Sequence, residues 1–287
     1  AEVYRRERNG FMGQQEKKTQ MEIDLISLGA GVQSSAMALM AKHGEITPMP
    51  VGAVFADTGA ESQECYNYLD WLESELPFPV HRVMHKNGLT KMLEDTVNNG
   101  ERCAQPPLYT KSDNGSLGQL NRICTLEYKI DPIKKKTRSL LGLKPRQRAK
   151  NVHCTTWIGI SLDEIQRMKL SMEKYITHRF PLIDLRMSRG DCLEWMKKNN
   201  YPEPPRSACV YCPYHSNYEW RKLKKHDPAG WKEALRIDEL VRQGWSGLDS
   251  KLYLHKSGLP LEDVDLSNDT DRGQLTFLDE CSGMCGV

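Results

Sequence analysis

From Met21 onward the chain alternates short apolar runs with small-residue turns and helix-forming stretches. Ile23 to Ser27 is apolar, Gly29 to Ser35 is small, Ala36 to Lys42 favours helix, and Val51 to Phe55 is apolar again. Apolar runs of this length, bounded by turn residues, suit strands buried on both faces, and a helix between two of them makes a βαβ unit. A second helix is predicted over Glu61 to Glu75, where Cys65, Leu69 and Leu72 recur at helical spacing, and Val80 to Met84 reads as a third strand. Between Asn98 and Asn121, Gly, Pro, Asn and Ser prevail, which predicts a loop or lid over a site. Val152 to Ile160 restores a strand, and Leu162 to Leu170 and Asp191 to Asn199 read as helices. The proline-rich turn Tyr201 to Pro205 follows, and a helical lobe comes after Cys212. The expected fold is α/β, a doubly wound parallel sheet with a smaller C-terminal, cysteine-rich helical lobe. Residues 1–20 are charged and aperiodic, and read as a flexible arm or a remnant of expression. The sheet is expected over residues 21–200 and the lobe with its tail over residues 201–287.

Composition narrows the class without naming a partner. The 287 residues are 39% hydrophobic and 27% charged, which is the balance of a globular chain. Forty Lys and Arg against 38 Asp and Glu leave a net charge of +2, so any claim about an anionic partner must come from local clusters. No apolar run approaches the roughly 18 residues of a membrane span and no signal-like apolar stretch opens the chain, so no membrane association and a cytoplasmic location are expected. Nine cysteines in such a setting point to reduced thiols rather than a disulfide framework.

Gly29, Ala30 and Gly31, followed by Ser34 and Ser35 at a helix start, have the makings of an anion cradle. Small residues let backbone N–H groups approach, the helix N-terminus adds positive potential, and the serines add hydroxyls. The same residues could form only a tight βα connection. If the cradle holds an anion, a β-carbon and an acid placed at Gly31 are expected to block and repel it.

The stretch Gly29-Ala30-Gly31-Val32-Gln33-Ser34-Ser35 resembles the PP-loop of the adenine nucleotide alpha hydrolases, the superfamily of the ATP pyrophosphatases and the phosphoadenylyl sulfate (PAPS) reductase family. Val32 stands where the family has lysine and Gln33 where it has aspartate, a variation found among the sulfonucleotide reductases. Phe55-Ala56-Asp57-Thr58-Gly59 with Glu64 resembles the segment that ends the second strand beside the nucleotide. Arg122-Ile123-Cys124-Thr125 with Lys129 and Pro132 resembles a further family element. So do Trp157-Ile158-Gly159-Ile160-Ser161 with Asp163, Glu164 and Arg167, where Ser161 replaces the usual arginine. Phe180 to Asp184, Asp191 and Cys209-Val210-Tyr211-Cys212-Pro213 complete the order. The resemblance implies a PP-loop nucleotide-binding domain over residues 21–200. In it Ser27, Gly29, Ala30, Gly31, Gln33, Ser34, Ser35, Asp57, Thr58, Gly59, Arg122, Lys129 and Gly159 would bind the nucleotide.

Cys209 and Cys212 have the spacing of metal ligands, because a tight turn aims both sulfurs at one point, although a redox pair or two incidental thiols share that spacing. Cys281 and Cys285 are a second plausible chelating pair. The resemblance implies a 4Fe-4S cluster on Cys124, Cys209 and Cys212 with Cys281 or Cys285 as fourth ligand, zinc being the alternative. Glu280-Cys281 and Cys285-Gly286 each match part of the reductases' terminal Glu-Cys-Gly, so Cys281 or Cys285 is the expected catalytic thiol. Cys65, Cys154 and Cys192 lie in apolar segments and read as core thiols; Cys103 is undetermined.

Nine basic residues from Lys129 to Lys150 face one acid, Asp131, and could serve nucleotide phosphates, a nucleic acid, or a merely solvated helix face. The function expected from the resemblance is that of a sulfonucleotide-reductase-like enzyme acting on adenylyl sulfate with a thiol electron donor. An ATP-dependent PP-loop sulfur transferase modifying tRNA or DNA, and a non-catalytic nucleotide-binding regulator, are the alternatives.

Overall fold

The computed structural model describes residues 21–267 except Asn87, Cys103 and Asp249. Residues 1–20, Cys281 and Cys285 lie outside the described residues, as does Cys103. The central sheet is parallel, with strands β1 (Met21–Leu28), β2 (Gly52–Asp57), β3 (Val80–Met84), β6 (Val152–Ile158) and β7 (Ile176–Arg179) in the order β3-β2-β1-β6-β7. The period-2 alternation of side chains divides each strand between two cores. Ile26 and Leu28 of β1, Ala53 and Phe55 of β2 and Trp157 of β6 face helices α1 (Val32–Lys42), α2 (Gln63–Glu75), the short α5 (Pro181–Asp184) and α6 (Arg189–Lys198). Ile23, Leu25 and Cys154 face the opposite way, toward Leu141, Leu143 and Ile176, while Val54 and Ala56 meet Ile133 of α4 (Asp131–Leu140). Both faces of the sheet are therefore covered, as a doubly wound architecture requires.

A second core joins distant parts of the chain. Leu89 and Leu93 of α3 (Gly88–Asn99), Ala104, Leu108 and Tyr128 pack with Val210, Tyr211, Trp220, Ile237 and Leu254. Helices α7 (Asn217–His226) and α8 (Pro228–Val241) add Leu223, Ala234 and Val241 to it. The Gly- and Pro-rich stretch after Asn98 belongs to this core. It holds strands β4 (Tyr109–Lys111) and β5 (Leu117–Gln119), which pair antiparallel and continue onto β8 (Lys251–Tyr253). Three-residue strands are too short to show a hydrophobic period, so the sequence reads there as loop. Leu162–Arg167 forms a 3-10 helix that stops short of Leu170, and Glu164 inside it leaves helical geometry at φ −117°. Cys65, Cys154 and Cys192 are fully buried, and burial pushes their thiols up, Cys154 to about 11 and Cys192 to about 12.

Candidate functional site

Strand order reverses between β1 and β6, and the carboxyl ends of those two strands are where an open α/β sheet leaves a crevice. The loop Gly29–Gly31 leaves β1 there. Ala30 takes the left-handed region at φ 56°, and Gly31 caps α1 with no side-chain hydrogen bond and no acid in the first turn. The leading N–H groups of α1 are thus left for a ligand. Ser34 Oγ lies 3.2 Å from Gly29 N and 3.3 Å from the Gly31 carbonyl, accepting from the first and donating to the second, so it fixes the loop's curl. Gly159, just past β6, must be glycine: a β-carbon on it would stand 2.8 Å from Ser34 N and 2.9 Å from Ser34 Cα. This close approach brings β6 against the loop.

The resulting cavity is lined by Ser27, Gly29, Gly31, Gln33, Ser34 and Gly159 of the expected nucleotide set, and by three guanidinium groups, Arg167, Arg189 and Arg206. Gln33, in the place of the family's aspartate, organises its floor. Its amide nitrogen donates to Glu164 Oε2 at 3.2 Å and Ser161 Oγ at 3.4 Å, and its amide oxygen accepts from Arg189 at 3.4 Å. Glu164 also pairs with Arg167 at 2.5 Å. Arg206 pairs with Glu219 of α7 and donates to the Tyr214 carbonyl, so the lobe holds it over the loop. Arg189 and Arg206 were not found from the sequence. Arg206 stands three residues before Cys209 of the cysteine knuckle, which is the one local signal that could have flagged it.

A second cavity is lined by Thr58, Arg122, Cys124, Lys129, Cys209 and Cys212 with Leu89, Pro106, Pro107 and Tyr211. The structure thus brings together the three described cysteines of the expected metal set. Cys209 Sγ lies 3.2 Å from Thr58 Oγ1, and Glu61 bridges antiparallel to Cys209, which docks the knuckle onto the turn after β2. Lys129, on the π-helical turn Leu126–Ile130, meets Glu61 at 3.5 Å with both side chains buried. His215 Nε2 lies 2.9 Å from the Cys209 carbonyl, which can only accept, so the ring proton sits on Nε2. Burial, with Arg206 adding to it, holds this imidazole neutral and lowers its pKa to about 3. Among the described residues no group of three or more His, Cys, Asp and Glu is arranged to hold a metal ion.

One ribbon, residues 205–212, serves both cavities. Pro205, Arg206 and Ser207 line the first and Cys209, Tyr211 and Cys212 the second. The remaining predicted residues stand aside. Asp57 accepts from Gly59 N at 2.7 Å and Tyr66 at 2.8 Å, bracing the turn, and lines neither cavity; Ala30 and Ser35 are fully buried and line neither. Of the basic run only Lys129 reaches the site.

No family model matches the chain, and no curated protein does. Among solved structures it is similar to the crystal structure of a phosphoadenylyl-sulfate (PAPS) reductase from Candida auris in its phosphate complex. The identity is 12% and the TM-score 0.41, with 71% of this chain and 80% of that chain covered. Among the described residues, no helix is long and apolar enough to cross a membrane.

Proposed function

We propose that the chain is a sulfonucleotide-reductase-like enzyme that holds the charged group of an adenylyl sulfate on the glycine loop and performs thiol chemistry at the adjoining cysteines. The observation that carries this reading is the shared ribbon: a guanidinium-lined anion cavity and a three-cysteine cavity meet on residues 205–212. Backbone N–H groups at the start of α1, Ser34 and the three arginines would bind a tetrahedral anion. Among the described residues Glu164 is the one carboxylate lining that cavity, and it is engaged by Gln33 and Arg167.

The donor set is all thiolate and lines one cavity, which suits an iron–sulfur cluster, with zinc as the alternative. Cys124, Cys209 and Cys212 would hold the cluster, with Cys281 or Cys285 as fourth ligand; when bound it would supply a one-electron redox centre and tie the cysteine ribbon beside the anion cavity. The thiolate of the other tail cysteine would attack the sulfuryl sulfur, forming a sulfur–sulfur bond as the bond to the adenylate oxygen breaks, and adenosine monophosphate leaves. A second thiol, from the external donor, would then displace sulfite and leave a disulfide. Arg189 and Arg206 would stabilise the departing phosphate's charge.

Calorimetric titration with adenylyl sulfate tests the binding claim. A β-carbon at Gly31 would meet only Ser207 Cβ at 3.9 Å, ordinary contact, so the protein itself accommodates a side chain there and any loss reports on the anion. Gly31→Ala should weaken binding less than Gly31→Asp, which should weaken it at least about 100-fold. Equal affinity in both variants would show that the loop is a structural turn.

A further inference from the structure

The basic run splits in the folded chain. Lys129 enters the cysteine cavity at the carboxyl end of the sheet. Residues 144–150, in contrast, connect α4 to the beginning of β6, at the amino end of the same sheet. Met21 N donates to the Asn151 carbonyl at 3.2 Å, so this loop lies beside the first residue of β1. Seven residues of β6 separate it from Gly159 and the glycine loop, about 20 Å at strand rise. Lys144, Arg146, Arg148 and Lys150 are all exposed there, and none of them can reach an anion in the cavities just described.

The loop is held in shape. Arg138 of α4 donates to the Gln147 carbonyl at 2.5 Å and to the Lys144 carbonyl at 3.4 Å, while its guanidinium lies 5.8 Å from the Tyr175 ring centroid. Lys144 N and Gln147 Oε1 close the turn at 2.9 Å, and Leu141 and Leu143 anchor its start in the core. Lys174, exposed and next to Tyr175, adds a fifth cation from a separate segment. The acids nearby are few: Glu22 is exposed in register with His153, and Glu173 is paired with Lys134 at 3.3 Å. Five like charges displayed on a braced frame cost stability through self-repulsion, and a polyanion relieves that cost.

The geometry points to this amino-end surface as a docking site for the phosphate backbone of a nucleic-acid duplex, remote from the reacting centre. No aromatic residue lies between Lys144 and Lys150 to stack a base, so the contact reads phosphates and not sequence. Because the surface and the cavities lie at opposite ends of the sheet, the duplex is a tether and not the substrate. The inference is independent of the reaction assigned to the cavities.

The test is fluorescence anisotropy of the full chain with a labelled 20-base-pair DNA duplex of mixed sequence, titrated over a range of NaCl. Four phosphate contacts predict a log–log salt slope of about −3.6. Neutralising the loop as Lys144→Gln, Arg146→Gln, Arg148→Gln and Lys150→Gln together should flatten that slope and weaken binding at low salt by about tenfold or more, with a melting temperature no lower than that of the wild type. A control that removes the same charge elsewhere, at the exposed Lys197, Lys198, Lys225 and Lys256, should leave affinity within about twofold. The proposal is overturned if the loop variant keeps the wild-type affinity and slope, or if the control loses as much. It is equally overturned if the loop variant loses binding only to vesicles containing phosphatidylserine.

Discussion

The two cavities at the carboxyl end of the sheet share a wall and little else. The glycine-loop cavity presents backbone N–H groups, hydroxyls and three guanidiniums; the cysteine cavity is lined by Leu89, two prolines, Tyr211 and three thiols, with Arg122 and with Lys129, which pairs with the buried Glu61. The first suits a hard anion that arrives with its charge, and the second suits soft sulfur ligation in a low-dielectric pocket. The charges are half-buried in the first and buried in the ion pair of the second. The two should therefore fail in different ways when altered.

The largest effect is expected at the buried pair. Lys129→Met leaves the Glu61 carboxylate, fully buried, without its cation and should cost about 3–5 kcal/mol of stability by denaturant unfolding. The double variant Lys129→Met/Glu61→Gln should recover much of that loss. If the single variant is as stable as wild type, the pair does not brace the cavity.

The next effect separates geometry from charge. Gly159→Val forces a side chain into the backbone of Ser34 and should raise the dissociation constant for adenylyl sulfate at least about 100-fold, while iron content stays unchanged. Arg189→Gln removes one guanidinium from the rim and should cost about tenfold in the same titration, less at high salt. A salt-independent loss would assign Arg189 to bracing Gln33 alone.

Much of this contrast is written locally in the chain. The glycine loop, the Cys-x-x-Cys turn and the strands are contiguous patterns, and the parallel sheet follows from them. Arg189 and Arg206 were not legible, because they come to the loop from an α-helix start and a proline-rich turn whose positions only the folded chain sets. Glu61 was hidden for the same reason: its partner lies on a π-helical turn that no periodicity marks. The run from Lys129 to Lys150 looked like one feature, yet a helix carries its two ends to opposite ends of the sheet.

The smallest effect concerns pH. His215, neutral beside Cys209, has a folded pKa near 3, below its unfolded value of 6.5. Its contribution is full above pH 6.5 and is lost as pH falls from 6.5 toward 3, by about 1 kcal/mol per unit. His215→Gln should flatten the melting temperature over pH 6.5 to 5. An unchanged slope would place the acid-labile group elsewhere.

The joint use of both cavities is tested most directly by anaerobic turnover of adenylyl sulfate with a reduced dithiol donor, with sulfite and adenosine monophosphate measured together. Wild type should release them one to one. Gly31→Asp should abolish both while keeping its iron, and Cys209→Ser should abolish both while still binding the nucleotide. Pyrophosphate released from ATP, with no sulfite from adenylyl sulfate, would contradict the account.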